Sequence, residues 1–301
     1  MTDATFGQLL ALTSAFLFAA SGACISRSTM KLGDRGVMFS VLVTIVFSAV
    51  LWLAIEGPDL SGVMTPQGWR GLAWFAFAGL CAMVLGRSFQ YVSLRKLGVT
   101  RSSATKRLNP FFSVAIAAMV LAEPVSAIAA GGMAVTALAF YLLIRAGAGR
   151  ATAGVVPRLM DYSWGVGSAL AYAGAYITRK IGLIDLPSPA LGTLVSALTG
   201  MAIFLALALV NARQRASLVG VFRYLDRWNI AAAVLMSLGQ IVLFWALLYE
   251  RVSVIVMIAS LEVFIASFLS VVVLKTEARP DLATYVAAGL GTLGVILIAS
   301  G

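Results

Sequence analysis

The chain has 301 residues, of which 61% are hydrophobic and only 11% charged, too little polar surface to cover a soluble globule of this size. Its formal charge of +10 sits in short segments between apolar runs, which excludes nucleic acid as a partner and leaves membrane topology as the explanation. With no histidine and only Cys24 and Cys81, imidazole or thiolate metal sites, a disulfide framework and Ser-His or Cys-His catalysis are excluded as well. The chain is expected to be neither an enzyme nor a carrier of any cofactor.

Taken in order, ten apolar runs approach the roughly 20 residues that cross a bilayer as helix: 6–26, 37–55, 69–94, 99–121, 125–144, 162–181, 189–211, 228–249, 253–274 and 282–299. They are too long and continuous for the alternating strands of a barrel, so the predicted fold is an all-α integral membrane protein. The first run lacks a basic start and is not a cleavable signal peptide. Several runs carry a small or polar face. Run one has Ser14, Phe18 and Ser21; run four has Ser102, Lys106, Asn109 and Ser113 at steps of four, three and four; run six has Trp164, Ser168 and Tyr172. Run eight has Ser237, Gln240 and Phe244, and run nine has Ser253, Ser260 and Ser267 at steps of seven, with Met257 and Phe264 between them. Such stripes serve helix packing as readily as ligand binding. Run ten has little besides Gly289, Gly291 and Gly294.

The runs repeat. A shift of 154 residues lays Ser14, Ala15 and Phe18 on Ser168, Ala169 and Tyr172, and Glu123 on Glu277; a shift of 153 lays Gly86 and Leu94 on Gly239 and Leu247. Three matches in one order at nearly one offset argue for a duplicated five-helix unit, residues 1–148 and 149–301. The segments after odd-numbered runs carry 17 of the 22 Lys and Arg, while the alternating segments carry Arg70, Arg179, Lys180 and Arg251, and Arg87 stands inside run three. Positive residues collect on the cytoplasmic side, which puts both termini outside and inverts the second unit relative to the first.

The stretch 102–143, with its small-residue start, Pro110, Glu123 at a helix end and a glycine-bearing final helix, resembles the closing half of an EamA repeat, and 253–298 resembles it again. Phe264 stands where the shift from Pro110 calls for proline. The resemblance covers nearly the whole chain and points to the drug/metabolite transporter superfamily, with texture most similar to the YddG-type exporters of aromatic and other amino acids. It implies a central cavity lined by helices one, three, four, six, eight and nine, with helices five and ten at the periphery.

On this reading the substrate-binding residues are Phe18, Lys106, Asn109, Trp164, Ser168, Tyr172, Gln240, Phe244 and Ser260, and Pro110 is a hinge, since it leaves the Lys106 carbonyl without an amide partner. Arg107 snorkels to the headgroups. Glu262 is the one carboxylate near the middle of a run; it serves either as a coupling site or as a structural partner. An aromatic-trimmed cavity with few fixed charges suits zwitterions or neutral solutes. The expected protein is a monomeric inner-membrane exporter of small amphipathic metabolites, most plausibly amino acids, working by alternating access without metal or cofactor.

Overall fold

The computed structural model describes residues 3–28, 34–57, 61–90, 92–93, 96, 105, 107–148, 159–223, 225–269 and 282–300; Lys106 and Glu277 lie outside these. Every regular element among them is helical. They are α1 (Asp3–Arg27), α2 (Asp34–Leu51) running on as a π-helical stretch Trp52–Glu56, α3 (Pro66–Gly79) running on as a second π stretch Leu80–Gly86, α4 (Asn109–Val120) and α5 (Ala127–Ala148). The later half gives α6 (Leu159–Asp185), α7 (Pro189–Val210), the short α8 (Ala212–Val219), α9 (Arg227–Tyr249), α10 (Val252–Ala259), α11 (Glu262–Phe268) and α12 (Leu282–Ser300).

Local chemistry sets the boundaries. Thr65 accepts from the Gly68 amide at the start of α3, with Pro66 at its first turn, and Asp226 accepts from the Asn229 amide at the start of α9; both are side-chain caps of otherwise orphaned N–H groups. At the far end of α7, Arg215 donates to the carbonyls of Ala208 (3.1 Å) and Leu209 (2.8 Å). That contact ties the polar helix α8 back beneath α7. Among the described residues, five segments are long and apolar enough to cross a membrane: Asp3–Ile25, Arg35–Glu56, Pro66–Gln90, Pro189–Val210 and Arg227–Tyr249. Shorter apolar helices occupy Asn109–Val120, Ala127–Leu142, Val252–Ala266 and Tyr285–Ile298.

Two runs differ from their sequence reading. Run nine is tightened but continuous: between α10 and α11, Ser260 and Leu261 keep helical dihedrals while the Leu261 amide donates to the Ile258 carbonyl, a 3₁₀-type bond, and the Ser260 hydroxyl to the Met257 carbonyl. Run six is longer than expected, continuing as α6 to Asp185. Arg179 and Lys180 therefore lie within the helix, as the bounds 162–181 of run six had them, and not in the connecting segment where the charge count placed them.

The packing maps onto itself when the two halves are exchanged. Helix α1 lies along α9 as α6 lies along α3, α10 and α11 meet α1 as α4 meets α6, and α2 meets α7 while α5 meets α12. The hydroxyl of Ser14 donates to the Gly239 carbonyl at 2.8 Å, and that of Ser168 to the Gly86 carbonyl at 2.8 Å. The residues paired by the internal shifts are thus the ones that bond crosswise. Ala11, Ala15 and Ala19 are fully buried beside Ser14, the small-residue face that lets helix backbones approach in a membrane. A central apolar cluster holds Phe75, Ile177, Phe244, Leu247, Val252 and Ile255, with the rings of Phe75 and Phe244 edge-on at 5.9 Å.

Both serines are solvent-free and bonded across helices, so Ser14→Ala and Ser168→Ala should each cost roughly 0.5–1.5 kcal/mol. Ser163→Ala, which removes only an exposed own-turn bond to the Met160 carbonyl, should leave stability unchanged. Unfolding in detergent micelles measures all three, and equal midpoints would remove the crosswise bonds from the account of the fold.

Candidate functional site

Helix α6 carries Ser168, Tyr172, Tyr176 and Arg179 at helical spacing along one face. Arg179 is only 3% exposed. With the Gln240 amide turned so that its oxygen faces the guanidinium, as the hydrogen-bond geometry requires, that oxygen accepts from Nη1 at 3.2 Å and from Nη2. The guanidinium also lies over the ring of Phe244 at 4.9 Å and of Tyr176 at 5.8 Å, a favourable placement for a cation taken out of water. Its Nε is buried with no hydrogen-bond partner.

The neighbouring helix α3 completes the centre through its π stretch, a geometry that recurs at functional sites because it displaces the side chains that follow it. Gly86 ends that stretch and rests on the Tyr172 ring, so that a methyl group there would come within 3.0 Å of it. Arg87 follows directly. Its Nη1 is likewise buried and without a partner, and its charge reaches Arg179. Among the described residues neither arginine joins a salt bridge. Tyr176 is within electrostatic reach of Arg179, Tyr172 and Glu262. The shift that lays Gly86 on Gly239 also lays Arg87 on Gln240, and the other lays Phe18 on Tyr172. The centre therefore draws matching positions from both halves.

The residues singled out from sequence divide among several places. Tyr172 and Gln240 are half-buried and meet at the arginine centre, with Phe18 packed nearby against Gly239. Phe244 is fully buried beneath Arg179 and against Phe75, which makes it a floor for the guanidinium. Ser168 spends its hydroxyl on the Gly86 carbonyl, with the Gln90 Oε1 at 3.2 Å. Ser260 spends its own on Met257. Trp164 stands at the start of α6, edge-on to Phe89 at 5.6 Å and 5.9 Å from the ammonium of Lys96, which pairs with Asp161 at 2.8 Å.

Asn109 opens α4 and accepts from the Ser113 hydroxyl at 3.1 Å. Pro110 occupies the first turn of that helix, buried, where its missing N–H leaves no helical bond unmade. Arg107 lies over the Phe140 ring at 5.9 Å, partly buried against α5 rather than extended to the headgroups. Glu262 begins α11 immediately after the tightened stretch. The residues that sequence reasoning missed as site members are Arg179, Tyr176 and Arg87. Continuing the Trp164, Ser168, Tyr172 stripe by two more steps finds the first two.

The face that carries the α1 start and the α9 end is closed by contacts between the halves. Glu123, at the end of the α4 segment, accepts from the amides of Val252 (2.8 Å) and Ser253 (3.0 Å) and from the Ser253 hydroxyl (2.7 Å), capping α10 from the other half. Glu56, at the end of α2, does the same for α7: it accepts from the Ser188 hydroxyl and from the amides of Ala190 (2.7 Å) and Leu191 (3.4 Å). Carboxylates at helix N-termini also gain from the helix dipole. Lys180 donates to the carbonyls of Leu247 (2.7 Å) and Glu250 (2.9 Å), Gln8 donates to the Glu250 carboxylate at 3.0 Å, and Arg70 pairs with Asp185 at 3.5 Å.

Comparison with known proteins agrees with this architecture. The sequence profile of the EamA-like transporter family matches residues 5–145 and 159–300. No curated protein sequence matches. Matches to solved structures number 28 chains. One, a crystal structure, aligns over 98% of this chain and 97% of its own, with a TM-score of 0.71 at 15% identity, a likeness that shows the fold alone.

The two kinds of contact on the closed face predict unequal costs. Glu123→Ala strips a buried carboxylate from two amides and a hydroxyl and should cost about 3 kcal/mol, with Glu123→Gln intermediate. Arg70→Ala removes a cation that is itself 68% exposed, 3.5 Å from the buried Asp185 Oδ2, and should cost about 1 kcal/mol, well under Glu123→Ala. Denaturant unfolding in micelles gives the ranking; an equal or reversed order would sink the assignment of Glu123 as the clamp.

Proposed function

The chain belongs to the EamA-like transporter family, and from that premise we propose that it is a secondary exporter of small amphipathic metabolites, most plausibly amino acids including aromatic ones. As a member of the family it is a multi-pass membrane protein that moves small molecules. The narrower reading takes it to cross the inner membrane ten times as two inverted five-helix units, 1–148 and 149–301, that rock around a central site as a monomer. The observation that carries it is the polar centre at Arg179: half-buried Tyr172, Tyr176 and Gln240, drawn from both halves, lie near the middle of α6 and of the apolar helix α9. Inverted halves around a midplane site are the architecture of alternating access. The exchange-symmetric packing and the contrast in loop charge support the inversion.

In this reading Tyr172, Gln240 and Phe18 contact the solute, while Phe244, Ser168 and Ser260 hold the wall behind them. Asn109 marks a polar patch at the cytoplasmic mouth, Trp164 stands at its rim, and Pro110 marks the hinge at the start of α4; Lys106, read with Asn109 in the sequence, lies outside the described residues. Glu262, at the start of α11, is the group through which a proton would couple. The clamps of Glu123 and Glu56 hold the outer face shut and must release for the site to open there. The likeness in texture to YddG-type exporters supports amino acids as the cargo.

Purified protein in liposomes should carry labelled amino acids with saturation and counterflow, whereas current that never saturates would indicate a channel and overturn the carrier. Tyr172→Ala and Gln240→Ala should each raise KM about tenfold, equivalent to about 1.4 kcal/mol of lost binding. A reporter fused to the C-terminus should be accessible from outside the cell; a cytoplasmic signal would reverse the topology.

A further inference from the structure

We propose that Arg179 is the receptor for a carboxylate on the transported solute, so that a free carboxylate is what the protein selects. This rests on the transport reading above and adds to it the chemical class of the cargo.

The argument starts from cost. A guanidinium remains charged at any physiological pH, and a charge deep in a membrane helix is retained only where a partner or a polar cavity compensates it. Arg179 is nearly solvent-free, and Gln240 offers a neutral oxygen to two of its N–H groups. The Phe244 and Tyr176 rings soften the desolvation without accepting a hydrogen bond along the fork. What is left over is specific: the Arg179 Nε and the Arg87 Nη1 are buried donors with no acceptor, on two cations whose charges act on one another.

Arg87 adds positive potential at Arg179, and neither is paired with an anion among the described residues, so an anion placed against the Arg179 Nε is favoured. The carboxylate that reaches this centre, Glu262, acts on it through Tyr176 and forms no salt bridge with either arginine.

The shape of the vacancy in bonding selects the anion. The unmade bond of one planar guanidinium, at the Arg179 Nε, matches an oxygen of one planar carboxylate. Neither a lysine nor a helix N-terminus lies at this point among the described residues to serve the extra oxygens of a phosphate. The walls contributed by Phe244, Tyr176, Tyr172 and Phe18 are aromatic, which fits a singly charged head on an apolar body. The donor lies on α6, which is paired with α3 by the Ser168 bond to Gly86, and its neutral counterweight Gln240 lies on α9. An anion on Arg179 therefore pulls on contacts shared by both halves.

The test uses acetate, 3-phenylpropionate and phenylalanine, each beside its matched amide, and reads binding separately from transport. In detergent, a carboxylate of the series should raise the unfolding midpoint of the wild-type protein, and its amide should not. Arg179→Gln should abolish that discrimination, Arg87→Gln should weaken it, and Arg179→Lys should keep part of it; the last two serve if Arg179→Gln does not fold. In liposomes the carboxylate should exceed its amide in kcat/KM at least about thirtyfold, as expected when one partner of a buried charge pair is removed, and the ratio should fall toward one in Arg179→Gln.

Equal stabilisation by acid and amide, no stabilisation by any acid, or an undiminished ratio in the variants would overturn the carboxylate receptor. Carboxylate-dependent stabilisation without saturable flux would uphold the receptor and overturn the transport reading instead.

Discussion

The centre of this protein is organised by one uncompensated charge. A guanidinium buried among membrane helices is more costly than a leucine of similar volume would be, so its surroundings must lower that cost without cancelling the charge. Each neighbouring element contributes in its own way: α6 offers the flank of Tyr176, α9 the ring of Phe244 and the oxygen of Gln240, and α3 unwinds to a π stretch just before Arg87. The chain thus keeps a cation soluble in its own interior while leaving hydrogen-bonding capacity unspent.

Much of the fold could be read from the sequence because hydrophobic length is a strong signal. The five long spans match runs one, two, three, seven and eight within a few residues, and the internal shifts of 154 and 153 identified residues that bond across the halves. Run six was read in two ways at once: its bounds, 162–181, held Arg179 and Lys180, while the charge count placed the same two cations in the segment that follows. The structure sides with the bounds and extends the helix to Asp185, and the aromatic stripe points straight at Arg179. The two cations then part company on the helix surface, Arg179 turning inward and Lys180 reaching the last carbonyls of α9.

Other features were beyond sequence reasoning because they are tertiary. Nothing in the apolar residues around Ser260 marks the local tightening between α10 and α11; no glycine or proline stands there, and a serine hydroxyl bonds back within it where both short helices pack on α1. Phe244 shares a face with Gln240 and so read as a lining residue, but the floor under Arg179 exists only once α3 brings Phe75 against it. The role of Glu123 was visible only as a carboxylate at a helix end. Its meaning comes from the two amides of a helix 129 and 130 residues away in sequence.

Duplication places matching residues in the two halves, and here the matching positions have been filled unequally. Arg87 answers to Gln240, Tyr172 to Phe18, and the position related to Arg179 is Ile25, which points outward, 54% exposed. A centre with identical groups on both sides would present the same surface twice. This one has a charged side and a neutral side, so the two halves are no longer interchangeable within it.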